Sequence, residues 1–177
     1  MLLVINGAPG VGKSALAERY ARDHALTLVL DIDELRRCLG QWETVDASKA
    51  VARDLALALV TDHLGRGGDV VVPQFFLRRE FAETLRRAAA DAAVPFVEVV
   101  LIDDDDAVIA RFDARRAELR CAGTQHPEAE LVDDEVAPTI SAANAELRRA
   151  AAVFGLPLVP AGSGIEAAYA TLLACIE

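Results

Sequence analysis

The chain has 177 residues, 53% of them hydrophobic, and a formal net charge of −10. This composition suits one packed domain with a sizeable core and excludes a disordered chain. The acidic balance counts against a protein that lives on duplex DNA or RNA, where phosphate contacts call for a basic surface, yet it leaves room for a local nest of amides that holds one phosphate group.

In chain order, the opening MLLVING has no basic stretch before it meets Gly7, so it does not read as a secretory signal. No apolar run reaches the roughly 18–20 residues of a membrane span. A cytoplasmic location without a membrane partner is expected. Residues 2–5 read as a buried strand and 12–23 as a helix with Leu16 and Tyr20 on one face. Residues 27–30 give a second strand, and 33–39 a short helix ended by Gly40. Ser48 then reads as the cap of a long helix whose inner face would carry Val51, Leu55 and Leu59, stopping at Gly65 to Gly68. Residues 69–73 form a third strand, 79–92 a helix with Phe81 and Leu85, and 96–102 a fourth strand. A helix over 105–119 turns Val108, Phe112 and Leu119 inward. Residues 121–131 fit neither strand nor helix and form a candidate lid. A helix over 137–154 follows, with Pro138 in its first turn and Ile140, Leu147 and Phe154 recurring at seven-residue spacing. Residues 156–159 give a last strand and 164–176 the closing helix.

Strands alternating with helices predict an α/β fold, a parallel sheet covered on both faces, in a single domain over residues 1–177. Cys38, Cys121 and Cys175 are widely spaced without a CxxC and read as reduced thiols.

The stretch GAPGVGKS, from Gly7 to Ser14, satisfies G-x-x-x-x-G-K-[ST] between a strand and a helix. Its backbone amides, through Gly7, Ala8, Pro9, Gly10, Val11 and Gly12, would cradle phosphates beside the positive end of the helix. Lys13 would reach the outer phosphates and Ser14 would offer its hydroxyl to Mg²⁺. ATP and Mg²⁺ are therefore the expected ligands. Without an NKxD signature the chain does not read as a GTP switch, and its size argues against a motor.

Three further stretches point to a small kinase. In VLDIDELRR, Asp33 lies just past a strand end, where ligand crevices of parallel sheets form. It could take a proton from an acceptor hydroxyl, with Arg36 one helical turn on to meet an anionic group. A capped surface helix is the alternative reading. In ARFDARR, Arg111 and Arg115 share a helix face leading to the lid and could neutralise a moving phosphoryl group; a solvated face is the alternative. Arg116 and Arg120 read as surface. In VVVPQFFLRRE, Gln74 could bond an acceptor, and Phe75 and Phe76 could wall its pocket or simply join the core. His126 in the lid, and Trp42 after the Asp33 helix, could each touch ligand or be structural. The run Asp103–Asp106 reads as helix N-terminal charge.

Taken together, GAPGVGKS, DIDELR, VVVPQFFLRRE with VPFVEVVLID, and ARFDARR resemble the small P-loop kinases that carry the AAA label in bacteria. Wider relatives are the kinase domain of phage polynucleotide kinase, chloramphenicol phosphotransferase, gluconate kinase, the zeta toxins and the tunicamycin-resistance protein. The resemblance covers residues 1 to about 120. It implies five parallel strands in the order 2-3-1-4-5 with a lid between the last two. It also implies Asp33 as general base, Arg36 on the acceptor's phosphate, Arg115 on the transferring phosphate, and adenine beside the loop that holds Gly162. Many relatives end the third strand with an Asp that supports Mg²⁺. Here that place reads Pro73-Gln74-Phe75, which resembles the strand end of the resistance protein more than that of the polynucleotide enzyme, and Asp31 is left as the candidate carboxylate, acting through water. The expected activity is transfer of the γ-phosphoryl group of ATP to a hydroxyl of a small molecule such as an antibiotic, nucleoside or sugar. A polynucleotide 5′-hydroxyl kinase and a nucleotide-binding module with slow hydrolysis are the alternatives.

Overall fold

The computed structural model describes residues 1–121 and 132–176. Five parallel strands form one sheet in the order β2-β3-β1-β4-β5: β1 (Leu2–Asn6), β2 (Leu28–Val29), β3 (Val70–Pro73), β4 (Phe96–Ile102) and β5 (Leu158–Pro160). Seven helices are described: α1 (Lys13–Asp23), α2 (Ile32–Arg37), α3 (Ser48–Gly65), α4 (Glu80–Asp91), α5 (Asp105–Cys121), α6 (Asp133–Phe154) and α7 (Ile165–Ile176). The expected fold class and strand order are both found. The lid expected at 121–131 lies, apart from Cys121, outside the described residues, as does His126. No described helix is long and apolar enough to cross a membrane.

β1 sits at the centre, pairing Leu2 with Val70 on one side and with Phe96 on the other. It is buried throughout, because both sheet faces are covered. Alternation along the strand divides the core. Leu3 and Ile5 pack with Leu16, Phe112, Ile140 and Leu172 from α1, α5, α6 and α7. Leu2 and Val4 pack with Ile32, Ala52, Ala56, Val60 and Leu85 from α2, α3 and α4.

Three sequence expectations are corrected. First, α3 does not bury Val51, Leu55 and Leu59, which are 41–43% exposed. Its buried face is Ser48, Ala52, Ala56, Val60 and Leu64. α3 carries apolar residues on more than one face, so its larger ones do not mark the inner face; the alanines do, because they allow close approach to the neighbouring helices. Ser48 is buried inside the helix rather than capping it; its hydroxyl donates to the Trp42 carbonyl at 2.8 Å. Second, α6 begins at Asp133, so Pro138 lies in its second turn rather than its first. The three acids of its first turn complement the helix dipole, and Gly155, in left-handed conformation, ends it. Ile140 and Leu147 are buried as expected, but Phe154 is 52% exposed, with the Arg79 guanidinium 4.7 Å over its ring. Third, Arg116 is not a surface residue. It is buried, and donates to Asp113 at 2.8 Å and Asp133 at 3.0 Å, tying α5 to α6. All three cysteines are free thiols.

Candidate active site

The loop between β1 and α1 is built for close approach. Gly10 and Gly12 hold positive φ of 82° and 107°, and a Cβ on Gly10 would lie 3.0 Å from Phe112 and from the Val108 carbonyl. A Cβ on Gly7 would meet Val11 at 2.7 Å and the Leu101 carbonyl at 2.9 Å. Ala8 and Val11 turn into the core and pin the loop from beneath. The start of α1 has no side-chain cap and no acid in its first turn. Its leading amides therefore need an outside acceptor, and an anion meets no repulsion there. Lys13 folds back over the loop, its Nζ 3.0 Å from the Ala8 carbonyl.

Asn6 precedes this loop, and no motif in the sequence includes it. It is buried, accepts from the Gly7 and Phe76 amides at 2.8 and 3.0 Å, and donates to the Phe76 carbonyl at 2.9 Å. It thereby joins the phosphate loop to the segment after β3. The only sequence signal was a polar residue ending an otherwise apolar strand.

At the carboxyl ends of β1, β2 and β3 lies a cleft of about 340 Å³. Pro9, Lys13, Ser14, Asp31, Asp33, Arg36, Gln74, Phe75 and Arg115 all line it, so nine candidates spread along the sequence meet in one place. Asp31 caps α2, accepting from the Asp33 and Glu34 amides at 2.9 and 3.3 Å. Burial pushes its carboxyl above the usual aspartate range, and the Asp33 charge adds to this, against the lowering effect of those amides. Asp33 accepts from the Gln74 side-chain amide at 3.1 Å. Since an ionised carboxylate can only accept, this contact also fixes which way the Gln74 amide points. Arg36 donates to the Ser48 hydroxyl and the Trp42 carbonyl at 2.8 and 2.9 Å, and its guanidinium lies 4.9 Å from the Trp42 ring centre. Trp42 thus acts on the cleft through Arg36. Phe75 is half-buried at the wall, and Phe76 packs into the core beneath it while still edging the cleft.

Arg111 and Gly162 do not line this cleft. Arg111 donates to the Gly10 carbonyl at 3.0 Å and to Asp103 at 2.6 Å. Gly162 lies against the same Asp103, where a Cβ would fall 2.7 Å from its Oδ1. The loop after β5 is therefore linked through Asp103 and Arg111 to the outer side of the phosphate loop. His24 stacks on Tyr20 with ring centres 3.8 Å apart, and His63 bonds the Leu26 carbonyl, both away from the cleft. No group of three metal-ligating side chains occurs among the described residues. Arg37, Lys49 and Arg53 also line the cleft, although nothing local in the sequence distinguished them from solvated cations.

The family model for the AAA domain matches residues 2–134. The chain belongs to this family. Its phosphate loop and strand order are those seen in small P-loop kinases that carry this label. It is 28% identical over 143 residues, 72% of its own length, to an adenylate kinase from Rhizobium rhizogenes (strain K84 / ATCC BAA-868), and spans 65% of that enzyme. Among solved structures, a putative kinase from Chloroflexus aurantiacus J-10-fl matches 71% of this chain and 70% of its own at TM-score 0.57 and 17% identity. A gluconokinase from Sinorhizobium meliloti 1021 matches 97% of this chain and 91% of its own at TM-score 0.53 and 19% identity. These two structural likenesses show a shared fold.

Proposed function

We propose that this P-loop kinase transfers the γ-phosphoryl group of ATP to a hydroxyl of a small molecule. The observation that carries the proposal is the shared cleft in which Asp33, oriented by Gln74, lies with Lys13 and Ser14 of the phosphate loop. In this reading the amides from Gly7 to Ser14 bind the phosphates, and Lys13 releases the Ala8 carbonyl to reach the outer ones. The uncapped start of α1 and the left-handed glycines fit that ligand. Ser14 and Asp31, which line the same cleft, would hold Mg²⁺, whose role is to neutralise phosphate charge. Asp33 accepts the acceptor's proton as its oxygen bonds to the γ-phosphorus and the bond to the ADP oxygen breaks. Arg115 reaches the cleft from α5 and stabilises the transferring group. Arg111 braces the loop through Gly10 instead of entering the cleft, and Gly162 borders the adenine end. Phe75 walls the acceptor, with Arg36 beside it.

The test is ATP consumption coupled to product mass across aminoglycosides, nucleosides, sugars and 5′-hydroxyl oligonucleotides. One acceptor should gain one phosphoryl mass. Asp33→Asn should lower turnover by roughly 10²–10⁴-fold while keeping ATP affinity. Wild-type turnover in that variant would refute the assignment of the base.

A further inference from the structure

Resting on that kinase reading, we propose that the hydroxyl acceptor carries an anionic group, a phosphate or carboxylate, seated by Lys49 and Arg53 of α3. The chain has only two lysines, Lys13 and Lys49, and both line the cleft in a protein of net charge −10. Six cations, Lys13, Arg36, Arg37, Lys49, Arg53 and Arg115, face two carboxylates there, Asp31 and Asp33.

Most of these cations have other work. Lys13 and Arg115 belong to the ATP side of the proposed reaction. Arg36 is held by Ser48 and Trp42, and Arg37 pairs with Glu34 at 2.8 Å. Lys49 and Arg53 are left. Among the described residues neither forms an ion pair, although Asp46 and Asp54 lie close in sequence. They are four apart on one helix, so both side chains meet the same anion but repel each other without one. Lys49 also stands in the first turn of α3, where a cation opposes the helix dipole. Helix stability explains neither residue. Arg53 further borders an adjoining hollow with Phe75, Phe76 and Phe81, and its guanidinium lies 5.9 Å from the Phe81 ring centre. An acceptor seated there has its anionic end on α3 and its carbon skeleton on the phenylalanine wall, with Asp33 left for its hydroxyl.

The test uses the full chain saturated with Mg²⁺ and a non-hydrolysable ATP analogue, so that the phosphate loop is already filled. Trp42, the only tryptophan, reports binding through fluorescence. Ribose 5-phosphate, adenosine 3′-phosphate and gluconate are each titrated against ribose, adenosine and glucose. At least one anionic member should bind about tenfold tighter than its neutral partner. Lys49→Gln and Arg53→Gln should each remove most of that preference without lowering the melting temperature, while Arg66→Gln, at the far end of the same helix, should keep it. The proposal is overturned if no anionic member binds, if neutral partners bind equally well, if the double variant keeps the preference, or if Arg66→Gln also loses it. With ATP in place of the analogue, the two readings separate. Anion binding without transfer to any member counts against the kinase reading alone; transfer without preference for the anion counts against this inference alone.

Discussion

Asn6 offers a measurement that depends on no knowledge of the acceptor. Its side chain makes three hydrogen bonds, with Gly7 N, Phe76 N and Phe76 O, at 2.8, 3.0 and 2.9 Å, in a position only 3% exposed. Asn6→Ala deletes all three and leaves the Phe76 amide and carbonyl without these partners. At roughly 0.5–1.5 kcal/mol net per bond, the loss is about 3 kcal/mol. For a domain of this size that lowers the melting temperature by roughly 6–12 °C. Urea denaturation read by far-UV circular dichroism gives the free-energy difference. Asn6→Asp should lose less, since its carboxylate still accepts from both amides, but it should not reach wild type because it faces the Phe76 carbonyl. Should Asn6→Ala cost under 1 kcal/mol, the idea that this residue staples the phosphate loop to the segment after β3 fails.

Other outcomes follow from the same geometry. Arg79 donates to Glu98 at 2.6 Å, and the Glu98 side chain is 1% exposed, so Arg79→Ala strands a buried carboxylate and should cost about 3–5 kcal/mol in urea unfolding; adding Glu98→Leu should recover part of it. Asp31 has a folded pKa raised chiefly by burial, so its charge costs stability at neutral pH, and that cost fades as pH falls below the folded value and is gone below the ordinary aspartate value. Asp31→Asn keeps a good helix cap and removes the charge, and should raise the melting temperature at pH 7 but not at pH 3, while weakening Mg²⁺-dependent ATP binding in calorimetry. On α3, Leu55→Gln should change stability by about 0.5 kcal/mol or less, whereas Ala56→Gln, 1% exposed, should destabilise by more than about 1 kcal/mol; equal effects would mean the helix face is misassigned.

The sequence by itself determined what depends on neighbours along the chain. GAPGVGKS needs glycines at positive φ and a helix start without a cap, and those demands are local, so Gly10, Gly12, Lys13 and Ser14 were legible at once. Strand and helix periods likewise gave the alternation, and the resemblance then gave the strand order that the sheet adopts. Asp33 and Arg36 were legible because they follow a strand end. The tertiary structure alone decided how each helix is rolled about its axis. In α3, Val51, Leu55 and Leu59 compete with Ala52, Ala56 and Val60, and only packing against neighbouring helices turns the alanine face inward. That same roll brings Lys49 and Arg53 to the cleft. Arg116 becomes a buried tie because α6 supplies Asp133, and Arg111 a brace because α5 passes behind Gly10. Asn6 becomes a staple only when Phe76, seventy residues on, arrives beside it. Such contacts join parts of the chain that no local pattern links, and their geometry exists only once the sheet has formed.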